Sequence, residues 1–142
     1  MWGKDLKRTI DYLETRNDID SSKLAYFGFS WGGDMGAIMA AIEPRIKVSV
    51  LVIAGIFYEH CLPEVDQVQY LPRIKTPVLL VNGKYDFFNP YETSQLAFLK
   101  LLGTPKEDKK LVVYEQGHSV PQLQMVKEAL AWLDNYLLQD ND

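Results

Sequence analysis

The chain has 142 residues, of which 47% are hydrophobic and 24% charged, and its formal net charge is −4. These values are typical of one globular domain with a real core, and scattered lysines in an acidic chain exclude a basic nucleic-acid groove. The single cysteine, Cys61, excludes an internal disulfide, and no apolar run is long enough to span a bilayer. We therefore expect a single cytoplasmic domain over residues 1–142, with no membrane and no nucleic-acid partner.

The first half of the chain alternates helical and strand patterns. Residues 5–16 place apolar side chains at helical spacing and predict a first helix. The short apolar run at 23–27 predicts a buried strand, and the Ala- and Met-rich run at 34–42 predicts a helix that stops before Pro44. Residues 46–54 are almost all β-branched or apolar, which predicts a strand buried on both faces.

The second half continues this alternation after an irregular segment. Residues 55–75 show no clean period and predict a short helix at most. The later elements have clear periods or apolar runs: strands at 78–83 and 111–115, helices at 91–102 and 121–138, and a solvated charged turn at 106–110. Four strands alternating with helices predict an α/β fold built on a parallel sheet.

The hexapeptide GFSWGG at residues 28–33 joins the first strand to the second helix. A strand, a sharp turn and a helix with Ser at the apex of G-x-S-x-G form a nucleophile elbow, in which strain lifts the hydroxyl clear of the sheet. Gly28 and Gly32, which lack side chains, are expected to let strand and helix approach closely. Ser30 is therefore the candidate nucleophile, and the amide of Trp31 is the candidate oxyanion donor.

Two candidate partners of Ser30 follow in the order that an elbow predicts. Asp86 lies in the loop after the third strand, and His118 follows the fourth strand. Because the carboxyl ends of parallel strands share one edge of a sheet, the three side chains are expected to converge. His118 would then act as the general base and Asp86 would hold its tautomer, with Asp34 and Glu59 as competitors for the acid.

On these residues the chain resembles the α/β-hydrolase family, and most of all its branch of dienelactone hydrolases, acetyl-xylan esterases and prolyl-oligopeptidase-like proteins. The matching stretches are residues 28–33, 76–86 and 115–118. The resemblance covers nearly the whole chain but only the C-terminal half of the family's fold. We therefore expect a truncated or reduced α/β-hydrolase fold: either a fragment of a longer gene product or a minimal hydrolase that completes itself by assembly. It implies a serine esterase without cofactor or metal that forms an acyl-enzyme on Ser30.

Two other functions are compatible with the same residues. The family's upstream loop, which supplies a second oxyanion amide, has no counterpart in the chain, and this favours a non-catalytic remnant that serves as a binding or assembly module. A peptidase core of the prolyl-oligopeptidase type is the other alternative. Neither a Cys–His pair at His60 and Cys61 nor a metal site is expected, because adjacent side chains rarely face each other and two histidines show no ligand spacing.

The pocket and the assembly of the chain are predicted from what surrounds the elbow. Trp31, Phe57 and Tyr58 are the candidate substrate-binding aromatics, and small acyl groups are expected because no segment is long enough for a lid. The first strand would be an uncovered apolar edge, and the last helix would lie nearly alone on one sheet face. We expect a homo-oligomer through residues 22–29 or through the uncovered face.

Overall fold

The computed structural model describes residues 2–57 and 61–138, and its centre is a parallel sheet of four strands. The strands follow one another in space in chain order: β1 Ala25–Phe29, β2 Val48–Val52, β3 Val78–Gly83 and β4 Lys109–Tyr114. The two central strands are completely buried, as expected for apolar runs covered on both faces. The predicted α/β class with four parallel strands is confirmed.

Four helices connect and cover the strands: α1 Trp2–Glu14, α2 Trp31–Ile42, α3 Leu96–Leu101 and α4 Gln122–Leu137. Between β2 and β3 the chain forms two short 3₁₀ turns, Gln67–Gln69 and Leu71–Arg73, in place of the single short helix allowed by the sequence. The helix predicted at 91–102 opens with one turn of π-helix, Tyr91–Gln95. No helix within the described ranges has both the length and the apolar character needed to cross a membrane.

Two element boundaries differ from the prediction because of backbone pairing. β4 already begins at Lys109, inside the predicted charged turn, because Lys109 pairs with Val78 of β3. The Lys109 ammonium group remains satisfied at the carbonyl oxygen of Leu102, 2.8 Å away. α2 begins directly after the apex of the elbow, because the Asp34 amide already donates to the Ser30 carbonyl oxygen at 2.9 Å. The charged residues at 106–110 therefore did not fix where the turn ends and β4 begins.

The two faces of the sheet are covered unequally. One face packs against α2, α3 and the 3₁₀ turns, around buried side chains such as Ala37, Leu51, Leu80 and Phe98. The other face has a smaller core around Val50, Val52, Leu79 and Val81, and within the described residues its helical side chains come from α4 alone. This agrees with the expectation that the last helix lies nearly alone.

α1 is held beside α2 by an ionic cluster centred on Arg45. The Arg45 guanidinium group lies 2.9 Å from Asp11, 2.8 Å from Glu14 and 2.6 Å from Glu43. Glu43 is buried, and its hydrogen bonds from Arg45 hold the pKa of its carboxyl group below the ordinary value. This cluster fixes the position of α1 and thereby the position of Trp2 at its start.

β1 forms one edge of the sheet and exposes apolar side chains. Tyr26 and Gly28 face α2, so by strand alternation Phe27 and Phe29 point to the α4 face, where they are 52% and 50% exposed. α4 packs against β2 and β3 and exposes an apolar stripe of its own: Leu123, Val126 and Leu130.

We propose that two copies of the chain pair through β1. The strand carries no charged residue, so nothing repels a second copy, and pairing would satisfy its free edge and cover Phe27 and Phe29. Sedimentation at micromolar concentration should show a dimer or larger species, and Phe27→Lys should shift it toward the monomer. Tyr12→Lys, at an exposed position on α1, should leave the association unchanged. A monomeric wild-type chain would rule out this pairing.

Candidate active site

The apex of the elbow is a strained residue held from both sides. Ser30 has φ 52° and ψ −116°. Residues other than glycine rarely adopt this backbone conformation, which costs about 1–3 kcal/mol. Its amide donates to the Val52 carbonyl oxygen at 2.8 Å, and its carbonyl oxygen accepts from the Asp34 amide at 2.9 Å. The end of β2 and the start of α2 therefore set the direction of the Ser30 side chain.

Close packing at the elbow depends on glycine at two positions, one of which differs from the prediction. A Cβ atom at Gly28 would lie 2.2 Å from the Gly32 carbonyl oxygen, so no larger residue fits there. At Gly32 itself the space is open, and the expectation that this glycine allows the close approach is wrong. The second constraint falls on Gly33, where a Cβ atom would lie 2.8 Å from the Val52 carbonyl oxygen.

The three residues predicted from the strand ends lie in one hydrogen-bonded row. The Ser30 Oγ atom is 2.8 Å from His118 Nε2, and His118 Nδ1 is 2.8 Å from Asp86 Oδ2. The other oxygen of the buried Asp86 carboxylate accepts the amides of Phe88 and Asn89, at 2.9 and 3.1 Å. With both oxygens engaged, Asp86 is fixed against His118.

The loops that carry Asp86 and His118 are tied to each other by backbone contacts. The Lys84 amide donates to the Tyr114 carbonyl oxygen and the Tyr85 amide to that of Gln116, both at 2.8 Å. Gly83 is required for this approach, because a Cβ atom there would lie 1.9 Å from the Gly117 carbonyl oxygen. No role was predicted for Gly83, although a glycine that ends a buried strand indicates close backbone contact.

Asp34, the competitor for the acid, does not contact the imidazole of His118. It is 5% exposed, and its Oδ1 atom accepts the Gly55 amide at 2.8 Å and lies 3.5 Å from Asn89 Nδ2. Burial raises the pKa of the Asp34 carboxyl group to about 7, more than the Gly55 hydrogen bond and the nearby His118 lower it. Glu59, the other competitor, lies outside the described residues.

The segment after β2 is held by side chains that the sequence analysis did not single out. The amides of residues 54–57 donate in turn to Asn82, Asp34, Ser94 and Gln67, over distances of 2.8–3.0 Å. All four of these side chains are buried. Because every amide of residues 54–57 is already engaged, these amides are not free to serve as a second oxyanion donor. A polar residue inside an apolar strand, as at Asn82, was the available signal.

Trp31 contributes both its backbone amide and its indole ring to the mouth of the site. As the first residue of α2, it has an amide without an acceptor inside the helix. Its indole is 54% exposed and lies between the rings of Trp2 and Phe57, with centroid distances of 5.6 and 5.2 Å. These rings border a cavity of about 900 Å³ that also contacts Ser30 and His118. Tyr58 lies outside the described residues.

A sequence model of the dienelactone hydrolase family matches residues 2–126. The chain belongs to this family. The resemblance to α/β hydrolases, first drawn from the elbow and the strand ends, is thus confirmed. Within the described residues of this family member, no group of three His, Cys, Asp or Glu side chains could hold a metal ion.

Two solved esterase structures and one plant protein are similar to this member of the dienelactone hydrolase family. A zinc-bound, cold-adapted esterase from an Arctic intertidal metagenomic library is 28% identical, with a TM-score of 0.78 over 94% of this chain and 56% of its own. An acetyl xylan esterase from Paenibacillus sp. R4 shares the fold at 20% identity, with a TM-score of 0.77 over 94% and 51%.

The plant protein is the alpha/beta hydrolase domain-containing protein WAV2 of Arabidopsis thaliana, 41% identical over 54 residues. That match covers 38% of this chain and 17% of WAV2. This chain therefore spans about half of the two solved chains and a smaller part of WAV2.

Asp34 should make the stability of the chain depend on pH. Its pKa of about 7 lies above the ordinary 3.8, so between these values the unfolded chain binds fewer protons, and the free energy of unfolding falls as pH rises. Asparagine keeps an acceptor for Gly55 and has no proton to lose. In urea unfolding measured from about pH 4 to pH 8, the free energy of unfolding of Asp34→Asn should increase relative to that of the wild type as the pH rises.

The exposed residue Asp134 provides the control for this measurement, since Asp134→Asn removes a carboxylate that faces solvent. This variant should follow the pH dependence of the wild type. A difference between Asp34→Asn and the wild type that stays constant over the same range would contradict the role of Asp34.

Proposed function

We propose that the chain is a serine hydrolase that cleaves carboxylic esters through an acyl-enzyme on Ser30. The observation that carries this proposal is the 2.8 Å contact between Ser30 Oγ and His118 Nε2 at a strained elbow. Membership of the dienelactone hydrolase family supports hydrolase chemistry at this position. The match to a cold-adapted esterase at 28% identity adds to this support.

In the proposed acylation step, Ser30 Oγ attacks the ester carbonyl carbon while His118 Nε2 takes the hydroxyl proton. The carbonyl oxygen becomes an oxyanion, and the Trp31 amide donates a hydrogen bond to it. The bond between this carbon and the alcohol oxygen then breaks, and His118 returns its proton to the leaving alcohol. Throughout, Asp86 accepts the Nδ1 hydrogen bond of His118 and stabilises the imidazolium form.

Deacylation repeats the same proton transfers with water as the nucleophile. His118 removes a proton from water, the hydroxide oxygen attacks the acyl carbon, and the bond to Ser30 Oγ breaks. The proton then passes from His118 to Ser30, which regenerates the free enzyme and releases a carboxylic acid. Phe88 packs edge-on against the His118 ring, at a centroid distance of 4.9 Å. This contact limits rotation of the ring, so His118 Nε2 stays directed at Ser30 in both steps.

A non-catalytic binding or assembly module is the second candidate. The observation that favours it is the full engagement of the amides of residues 54–57, which leaves Trp31 as the only oxyanion donor that we assign within the described residues. Nothing in the described site favours a peptidase core of the prolyl-oligopeptidase type over an esterase. We also propose a cytoplasmic location, because a single cysteine fits a reducing compartment.

Ser30 should be the residue that a fluorophosphonate probe labels, because its hydroxyl is the one activated by His118. Ser30→Ala should lose both the label and the hydrolysis of p-nitrophenyl acetate. Ser119→Ala removes an exposed serine next to His118 and should keep both. Intact-mass and peptide mass spectrometry give the readout, and equal labelling of Ser30→Ala would exclude this nucleophile.

His118→Ala should lower kcat/KM by about 10²- to 10⁴-fold, the usual contribution of a positioned general base. His60→Ala, which removes the other histidine of the chain, should retain the wild-type rate. A large loss of rate in His60→Ala would mean that the base is assigned to the wrong histidine.

A further inference from the structure

The cavity at Ser30 continues as an apolar groove along the outer side of α2. This helix turns its small residues to the sheet: a Cβ atom at Gly33 would lie 3.0 Å from Ala54, and one at Gly36 would lie 2.3 Å from Leu51. The large side chains of α2 line the groove instead: Trp31, Met35, Ile38, Met39 and Ile42. None of these five side chains belongs to the apolar clusters packed on the sheet, and two of them, Ile38 and Met39, are buried.

The walls of the groove come from two other segments. The start of α1 contributes Trp2 and Gly3, and the chain between β2 and β3 contributes Phe57, Val65 and Tyr70. Four polar side chains of the lining belong to the elbow and the loops of its partners: Ser30, Asp34, Asn89 and His118. Glu64, from the chain between β2 and β3, also lines the cavity. A mostly apolar cleft with a few convergent polar groups at one end is the usual form of a small-molecule site, and about 900 Å³ is within the usual size.

The length of α2 limits what the groove can hold. With a rise of about 1.5 Å per residue, the helix extends about 16 Å from Trp31 to Ile42. An extended hydrocarbon chain advances about 1.3 Å per carbon, given C–C bonds of about 1.5 Å. The groove therefore has room for a chain of up to about twelve carbons in line with the helix.

We propose that this groove binds the unbranched apolar chain of an ester substrate, up to about twelve carbons long. The proposal rests on the proposed ester hydrolysis at Ser30 and names its substrate class. It revises the expectation of small acyl groups, which was based on the lack of a segment long enough for a lid. Here α1 and α2 supply the apolar wall, so a lid is not needed for a chain of this length.

The first test compares p-nitrophenyl esters from acetate to decanoate and alkyl acetates from ethyl to octyl acetate. Burial of each methylene should raise kcat/KM about fourfold until the groove is filled. A rise in the first series assigns the groove to the acyl chain, and a rise in the second assigns it to the alcohol. If Ser30-dependent hydrolysis is fastest for acetate and ethyl acetate, the groove proposal is wrong while the proposed function stands.

A substitution within the groove separates its contribution from general hydrophobicity. Met35 is half-buried one turn beyond Trp31, so Met35→Trp should block the groove and lower the octanoate-to-acetate rate ratio by at least about tenfold. Met35→Leu keeps the apolar volume at the same position, and Leu101→Trp adds an indole on α3 away from the groove. Both should retain the wild-type ratio, and a similar loss in Leu101→Trp would overturn the assignment.

A second measurement requires no catalysis and leaves the apolar lining of the groove unchanged. Cys61 borders the groove and is the only cysteine of the chain, so its modification by N-ethylmaleimide reports on this site alone. In Ser30→Ala, 1-octanol should protect Cys61 saturably, at a concentration about 15-fold lower than 1-hexanol. If neither alkanol changes the rate at which N-ethylmaleimide modifies Cys61, the proposed binding in the groove is wrong, whether or not any ester is hydrolysed.

Discussion

The site depends on the close packing of the elbow against the end of β2. Gly28 meets the Gly32 carbonyl oxygen, Gly33 meets that of Val52, and Ser30 between them is held at φ 52°. Neither Gly28 nor Gly33 has room for a side chain, and Ser30 is held in a strained backbone conformation. The direction of the Ser30 hydroxyl therefore follows from packing. Strain of this kind persists only where the surrounding structure over-determines it. The rest of the site is arranged around this fixed point.

A buried polar network supplies the remaining rigidity. Asp34, Asn82 and Gln67 hold the strained turn after β2, where Ile53 also has a positive φ of 54°, and Asn89 connects this turn to the Asp86 loop. Such groups are costly to bury unless they are hydrogen-bonded, and here each of them has partners. The network fixes the Asp86 loop relative to the end of β2, where the Val52 carbonyl oxygen accepts the Ser30 amide.

The unequal covering of the sheet links the fold to assembly and to substrate binding. On one face, α1 and α2 form the wall of the groove, held in place by the ionic cluster at Arg45. On the other face, α4 leaves β1 uncovered and exposes Phe27 and Phe29. The apolar surface of this chain is thus divided between a concave site near Ser30 and a flat edge far better suited to another β-strand.

The sequence by itself determined the order of the elements, the parallel sheet and the edge of the sheet at which Ser30, Asp86 and His118 meet. It could do so because strand ends, glycines and an apolar period are local signals, and parallel strands bring their carboxyl ends to one edge. Only the tertiary structure decided the role of Gly33 over Gly32, the buried partners of residues 54–57 and the groove along α2. These features depend on contacts between segments distant in the chain, which no local pattern of residues encodes.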